Sequence, residues 1–168
     1  MLQENVERRL GAAGRLIEHS ETPGLGNAAK SSYYRSAIIL LCTIVEGLAY
    51  ELAKKHTTAP KHIIGRTTKY IDKHSIPSGA LGTSGNLTIC DKIKIDFGID
   101  DDEATFAKLN IFLKNENVVP LSIYNSLNWT RIERNKLHFH RLNTPDTGYT
   151  RAKIERISRL ILTMYRRL

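Results

Sequence analysis

The segment YYRSAIILLCTIVEGLAYELAKK, residues 33–55, is the most informative stretch of the sequence for the fold. Its apolar residues recur three and four positions apart, as on one face of an α-helix. They are Ile38, Leu41, Val45, Leu48 and Leu52, and the stripe is widened by Ile39, Leu40 and Ile44. A helix that is apolar around most of its circumference belongs in the centre of a fold. We therefore expect a central helix that begins near Asn27 or Ser31 and ends near His56, before Pro60.

Helical spacing also occurs on both sides of this segment. The predicted helices cover residues 6–17, the segment after the acidic run 100–103, the segment after Pro120, and residues 151–168. For HIIGRTTKYIDKHS, residues 62–75, we expect a short helix. The sequence therefore predicts an all-α fold, a helical bundle of about five to seven helices that forms a single domain over residues 1–168.

The segment LTICDKIKIDFGI, residues 87–99, fits two structures. Ile93, Ile95 and Phe97 alternate as in a strand, whereas Ile89, Ile93 and Phe97 have the spacing of a helix. We favour the helix. The acids that follow, residues 100–103, lack the Asp-x-Asp-x-Asp-Gly spacing of a calcium loop. We expect them to stabilise the N-terminus of the next helix, with one aspartate as its N-cap.

The composition is that of a globular protein with an excess of positive charge. Apolar residues make up 41% of the 168 residues, and Lys and Arg number 25 against 17 Asp and Glu, which gives a net charge of +8. Such a charge attracts polyanions, so nucleic acid or an acidic protein is the expected class of partner. Cys42 and Cys90 lack the spacing of a zinc site or a disulfide scaffold.

Targeting signals are not evident in the sequence. The N-terminal segment MLQENVERRL is charged and has no apolar core like that of a signal peptide. The longest apolar run, residues 37–45, is too short to span a bilayer. We therefore expect a cytoplasmic protein that has no membrane partner.

The segment RIERNKLHFHRL, residues 131–142, gathers arginines, a lysine and two histidines between apolar residues. A guanidinium binds two phosphate oxygens at once, and a histidine can give or take a proton near neutral pH. These groups suffice to cut RNA without a metal, because the ribose 2′-hydroxyl supplies the nucleophile. DNA, which lacks that hydroxyl, would not be a substrate.

This pattern resembles the motif of the HEPN superfamily, an arginine, four to six residues and a histidine, often with a polar residue directly after the arginine. In this sequence the motif is Arg134, Asn135 and His140. Residues 33–55 also resemble the apolar helix with an acidic residue, here Glu46, that such proteins carry ahead of the motif. The commonest spacing would place the histidine at Phe139, so the register is one residue longer here.

The resemblance implies helical proteins that dimerise, so that two motifs face each other across a cleft, and many of them are metal-independent ribonucleases. It implies that Arg134 stabilises the phosphate and that His140 is the acid or base. Asn135 would position the histidine or bind phosphate, and Glu46 would support the arginine from the neighbouring helix.

Other residues of the segment offer alternative or additional roles. His138 lies four residues after Arg134, on the same helix face, and Arg131 to His138 also fits the loosest spacing of the motif. The candidate RNA contacts are Lys136, Arg141 and Trp129.

The sequence thus predicts an endoribonuclease that needs no metal or cofactor and acts as a homodimer on RNA. A role as a toxin or defence effector, restrained by an inhibitory partner protein, would be in keeping with the family. The alternative is a non-catalytic HEPN-type module that binds RNA, a nucleotide or a partner protein.

Overall fold

The computed structural model describes residues 2–76, 87–137 and 148–168 and combines helices with a small sheet. Its elements are α1 (Leu2–Ser20), α2 (Asn27–Lys55), β1 (Ile63–Ile76), β2 (Leu87–Gly98), α3 (Phe106–Asn115), α4 (Leu121–Lys136) and α5 (Arg151–Tyr165). The all-α prediction is therefore wrong, because a two-stranded antiparallel sheet stands between α2 and α3.

The long central helix is confirmed as α2, which forms the centre of the helical core. Its buried side chains include Ile38, Leu41, Val45, Leu48 and Leu52, all at most 2% exposed. The other four helices of the described residues pack against it. By length and composition alone α2 could also cross a membrane, but 56% of its most apolar window is buried inside the protein. The apolar surface of α2 thus packs against the other helices.

The sheet is a long β-ribbon, and it replaces the helices expected in residues 62–75 and 87–99. Strands β1 and β2 pair antiparallel over almost their whole length, with Thr67 opposite Ile95 and Lys69 opposite Ile93. The isoleucines and threonines of both strands favour extended backbone, because branched side chains fit a pleated surface. Ile93 and Phe97 lie on one face of β2, so a spacing of four satisfies strand and helix alike.

The ribbon has two different faces. Because paired residues point to the same side of a sheet, the register defines both. The inner face comprises Gly65, Thr67, Lys69, Ile71, Asp91, Ile93, Ile95 and Phe97. The outer face comprises Arg66, Thr68, Tyr70, Asp72, Cys90, Lys92, Lys94 and Asp96. Phe97 is buried, and Lys69 pairs with Glu103 at 3.1 Å, so the inner face lies towards the segment that leads into α3.

The acidic run 100–103 anchors the base of the ribbon instead of capping a helix. The Gly98 backbone N–H donates to Asp101 Oδ2 at 2.6 Å, and the Tyr50 hydroxyl donates to Asp100. The N-cap of α3 is Thr105, whose hydroxyl accepts from the Lys108 backbone N–H. The prediction of an aspartate N-cap is therefore wrong, since these carboxylates are used one turn earlier.

Candidate functional site

The C-terminal part of α4 carries the arginine of the predicted motif next to α2. The helix follows Pro120 and ends at Lys136, with Leu137 as its C-cap. Leu137 is buried and fixes this end of the helix in the core. The predicted residues His138, His140 and Arg141 lie outside the described residues.

Arg134 and Glu46 are brought together by α4 and α2. Arg134 Nη1 lies 2.9 Å from each oxygen of the Glu46 carboxylate. The two side chains are 33% and 29% exposed, so the pair stands at the boundary between core and solvent. A guanidinium has five N–H donors, and Glu46 engages only those of Nη1. Glu46 does not use the Nε and Nη2 donors of Arg134, and the side chain that carries them is partly exposed.

Glu133, the residue before Arg134, holds α4 to α5. It is 3% exposed, and its two carboxylate oxygens accept from Lys136 Nζ and Lys153 Nζ, each at 2.7 Å. Burial acts to raise the pKa of Glu133, but the hydrogen bonds from Lys136 and Lys153 outweigh it, so the pKa lies below its usual value. Glu133 is therefore a buried anion whose two partners fix the backbone beside Arg134.

Arg35 provides a second guanidinium at the end of α4. Arg35 lies on α2, and its Nη2 donates to the Leu137 backbone carbonyl at 3.0 Å. Positive charge is favourable at a helix C-terminus, where carbonyl groups lack intrahelical partners. Neither Arg35 nor Glu133 was predicted from the sequence, where the one signal for Arg35 is a cation one turn ahead of the central apolar stripe.

The other predicted site residues in α4 lie in different surroundings. Arg131 donates through Nε and Nη2 to Asn128 Oδ1, at 3.2 and 3.0 Å, so it is held against the preceding turn. Asn135 is exposed and makes no side-chain hydrogen bond to any residue that the structure describes. The Trp129 ring is covered by Arg156, whose guanidinium carbon lies 4.0 Å from the ring centroid.

Cys42 lies close to these charges but is chemically inert. It is fully buried, and its sulfur lies 3.9 Å from the Thr130 carbonyl oxygen. Burial, opposed by the charge of Arg134, raises the pKa of Cys42 to about 12. A nucleophilic cysteine requires a thiolate, so Cys42 is a core residue.

An open groove lies at the N-terminal end of α2. It has a volume of about 430 Å³ and lies between the first turns of α2 and α5. Its lining includes Lys30, Tyr34, Tyr149 and Arg151. Tyr34 lines the groove, and the next residue, Arg35, donates to the backbone at the end of α4. Among residues 2–76, 87–137 and 148–168, no three metal-ligating side chains come together.

No protein-family model matches the chain, and no curated protein or solved structure is significantly similar to it.

Proposed function

We propose that the protein is a metal-independent endoribonuclease of the HEPN type, with Arg134 as the phosphate-binding residue. The observation that carries the proposal is the Arg134–Glu46 pair, which holds a partly exposed guanidinium beside the buried Glu133. This arrangement lies directly ahead of the two histidines in the sequence, on a chain with a net charge of +8. The proposal concerns these residues and does not depend on an all-α fold.

In the proposed reaction a histidine removes the proton of a ribose 2′-hydroxyl. The 2′-oxygen then bonds to the adjacent phosphorus, the bond from phosphorus to the 5′-oxygen breaks, and an acid protonates that oxygen. The products are a 2′,3′-cyclic phosphate end and a 5′-hydroxyl end. His140 fills the role of acid or base in this scheme, and His138 is the alternative. Arg134 stabilises the charge that develops on the phosphoryl oxygens, and Asn135 supplies a further donor.

Glu46 acts in this scheme as a positioning residue. A guanidinium on a long side chain loses conformational freedom when it binds phosphate, and that loss opposes catalysis. The ion pair with Glu46 fixes Arg134 beforehand and leaves its other N–H groups for the substrate. Removal of Glu46 should therefore weaken the reaction even though Glu46 touches no substrate.

A homodimer completes the proposed site, because in this scheme each motif supplies one catalytic histidine and the reaction needs both a base and an acid. The apolar side chain of Ile39, two turns before Glu46 on the same face of α2, is 41% exposed in the single chain and supports such a contact.

The test is cleavage of a 5′-labelled RNA by the purified protein in excess EDTA. We expect the wild type to leave 2′,3′-cyclic phosphate ends. Arg134→Ala and His140→Ala should each lose on the order of 100-fold or more in rate, the usual effect of removing an electrostatic or acid–base group. Glu46→Gln should cause a smaller loss of rate, and that loss should appear in kcat. The matched control is Arg159→Ala, because Arg159 is an exposed guanidinium on α5.

Each result has a definite meaning. Loss of activity in His138→Ala, with His140→Ala active, would keep the chemistry and change the register of the motif. Full activity in both Arg134→Ala and His140→Ala would overturn the proposed site. RNA binding without cleavage by the wild type would leave the non-catalytic binding module.

A further inference from the structure

The outer face of the β-ribbon is an exposed surface on which an aromatic ring stands beside cations. Tyr70 is 67% exposed, the largest exposed fraction among the large apolar and aromatic side chains that the structure describes. It lies opposite Lys92 in the register, and Lys94 is the next residue on the same face of β2. A tyrosine this exposed is stabilised little by the fold, so its ring is available to a partner.

The charge of the outer face is positive. Arg66 and Asp96 are opposite each other and form an ion pair at 2.6 Å, which cancels their charges. Lys92 and Lys94 have no ion-pair partner among the described residues. Asp72, opposite Cys90, is the second acid of this face, so its three cations, Arg66, Lys92 and Lys94, exceed its acids by one. The inner-face Lys69, by contrast, is paired with Glu103.

The spacing of these groups suits an extended polyanion. Residues two apart on a strand are separated by roughly 6.6 Å, so Lys92 and Lys94 can reach successive phosphates of a single strand. Tyr70, across from Lys92, offers a ring on which an unpaired base can stack. A second copy of the ribbon is disfavoured at this face, because it would bring like charges together.

We propose that the outer face of the β-ribbon binds single-stranded RNA, with Tyr70 stacking on a base and Lys92 and Lys94 contacting phosphates. The choice of RNA rests on the proposed function, while the surface lies on a different element from Arg134 and Glu46. The ribbon thereby holds a strand whose cleavage occurs elsewhere, and binding can be measured without cleavage.

The test is fluorescence anisotropy with a labelled 2′-O-methyl oligouridine, which lacks the attacking hydroxyl and cannot be cut. Tyr70→Ala should weaken binding at least fivefold, and Tyr70→Phe, which keeps the ring, should bind like the wild type. Lys92→Glu/Lys94→Glu should weaken it at least tenfold. The same variant should lower the slope of log Kd against log salt by about 1.4, at roughly 0.7 for each phosphate that the protein no longer neutralises.

The matched control is Arg8→Glu/Arg15→Glu, which makes the same change in net charge on exposed residues of α1. It should change the affinity less than threefold. An equal loss in the control, unchanged affinity in the ribbon variants, tighter binding of a duplex, or no binding by the wild type would overturn the proposal. Intact binding with no cleavage of natural RNA would instead count against the proposed function alone.

Discussion

Glu46 and Glu133, the two acidic residues near Arg134, have different surroundings and therefore different roles. Glu46 is part of a half-exposed pair with the arginine, whereas Glu133 is buried and accepts from two lysines. An exposed ion pair contributes little to stability, commonly 0–1 kcal/mol, so the Glu46 pair is best understood as a means of orienting Arg134. A buried carboxylate with both oxygens hydrogen-bonded contributes more and fixes the backbone around it.

Replacement of Glu133 by glutamine should therefore destabilise the protein in a pH-dependent way. We expect Glu133→Gln to lower the free energy of unfolding by about 1–3 kcal/mol at pH 7, since two charge-assisted hydrogen bonds are weakened. The pKa of Glu133 is lowered by folding from its usual 4.5, so the stabilisation is fully present above pH 4.5. It is lost as the pH falls through the lower pKa of the folded state. Urea unfolding at a series of pH values from 7 downwards measures the difference.

The control for this prediction is Glu155→Gln. Glu155 also pairs with cations on a helix, but its side chain is 50% exposed. Its replacement should cost little at either end of the pH range. A difference between wild type and Glu133→Gln that stays constant as the pH falls below 4.5 would contradict the assignment of Glu133 as an anion.

At the scale of the elements, the helices were predictable and the strands were not. The helical spacing in α1, α2, α4 and α5 is unambiguous, because each has an apolar stripe over several turns. In β2 the stripe at Ile93 and Phe97 fits either structure, and the pairing that decides it involves β1, distant in the sequence. Patterns within one segment do not contain that information.

The candidate site shows the same division between local and distant information. Arg134 and its contact with Glu46 were expected from a motif and a helix, whereas Glu133 was not. An acid inside a charged run is usually solvated, but Lys136 on the same helix and Lys153 from α5 together make burial of Glu133 favourable. The sequence therefore predicts the contact between Arg134 and Glu46 but not the ion pairs of the buried Glu133 beside it.

The base of the ribbon depends on the absence of a side chain at residue 98. A Cβ on Gly98 would lie 2.2 Å from the Lys61 carbonyl oxygen, which belongs to the backbone and cannot turn away. We expect Gly98→Ala to lower the free energy of unfolding by about 1–3 kcal/mol, the usual cost of overpacking. Urea unfolding followed by circular dichroism gives the value.

The matched control is the same substitution in α1. A Cβ at Gly14 meets no atom within 4 Å, and alanine favours the helix by about 0.5–1 kcal/mol. Gly14→Ala should thus be neutral or stabilising. Equal effects of the two substitutions would show that the approach of Gly98 to Lys61 carries no energetic weight.

At the scale of the whole molecule, the helical core and the distal ribbon are separable in their packing. Among the side chains of the ribbon region that the structure describes, the buried hydrophobic ones, Ile64, Phe97 and Ile99, lie at its base. The described outer-face residues are exposed, so the distal strands add little apolar burial to the core. The proposed cleavage and the proposed capture of RNA therefore belong to different parts of one chain.

Replacing residues 69–93 by Asn-Gly, a turn suited to a two-residue hairpin, should separate these roles. The shortened protein should keep its helical circular dichroism and lose less than about 1 kcal/mol of stability, a Tm change of roughly 2–4 °C. It should cleave a dinucleotide at the wild-type rate, because Arg134 and Glu46 are untouched, but bind the 2′-O-methyl oligouridine at least tenfold more weakly. The control replaces only residues 77–86 by the same Asn-Gly turn. It retains Tyr70, Lys92 and Lys94, so it should bind the oligouridine like the wild type. Loss of dinucleotide cleavage in a folded shortened protein would show that the ribbon contributes to the reaction itself. Unchanged oligouridine binding would show that the ribbon does not bind the RNA strand.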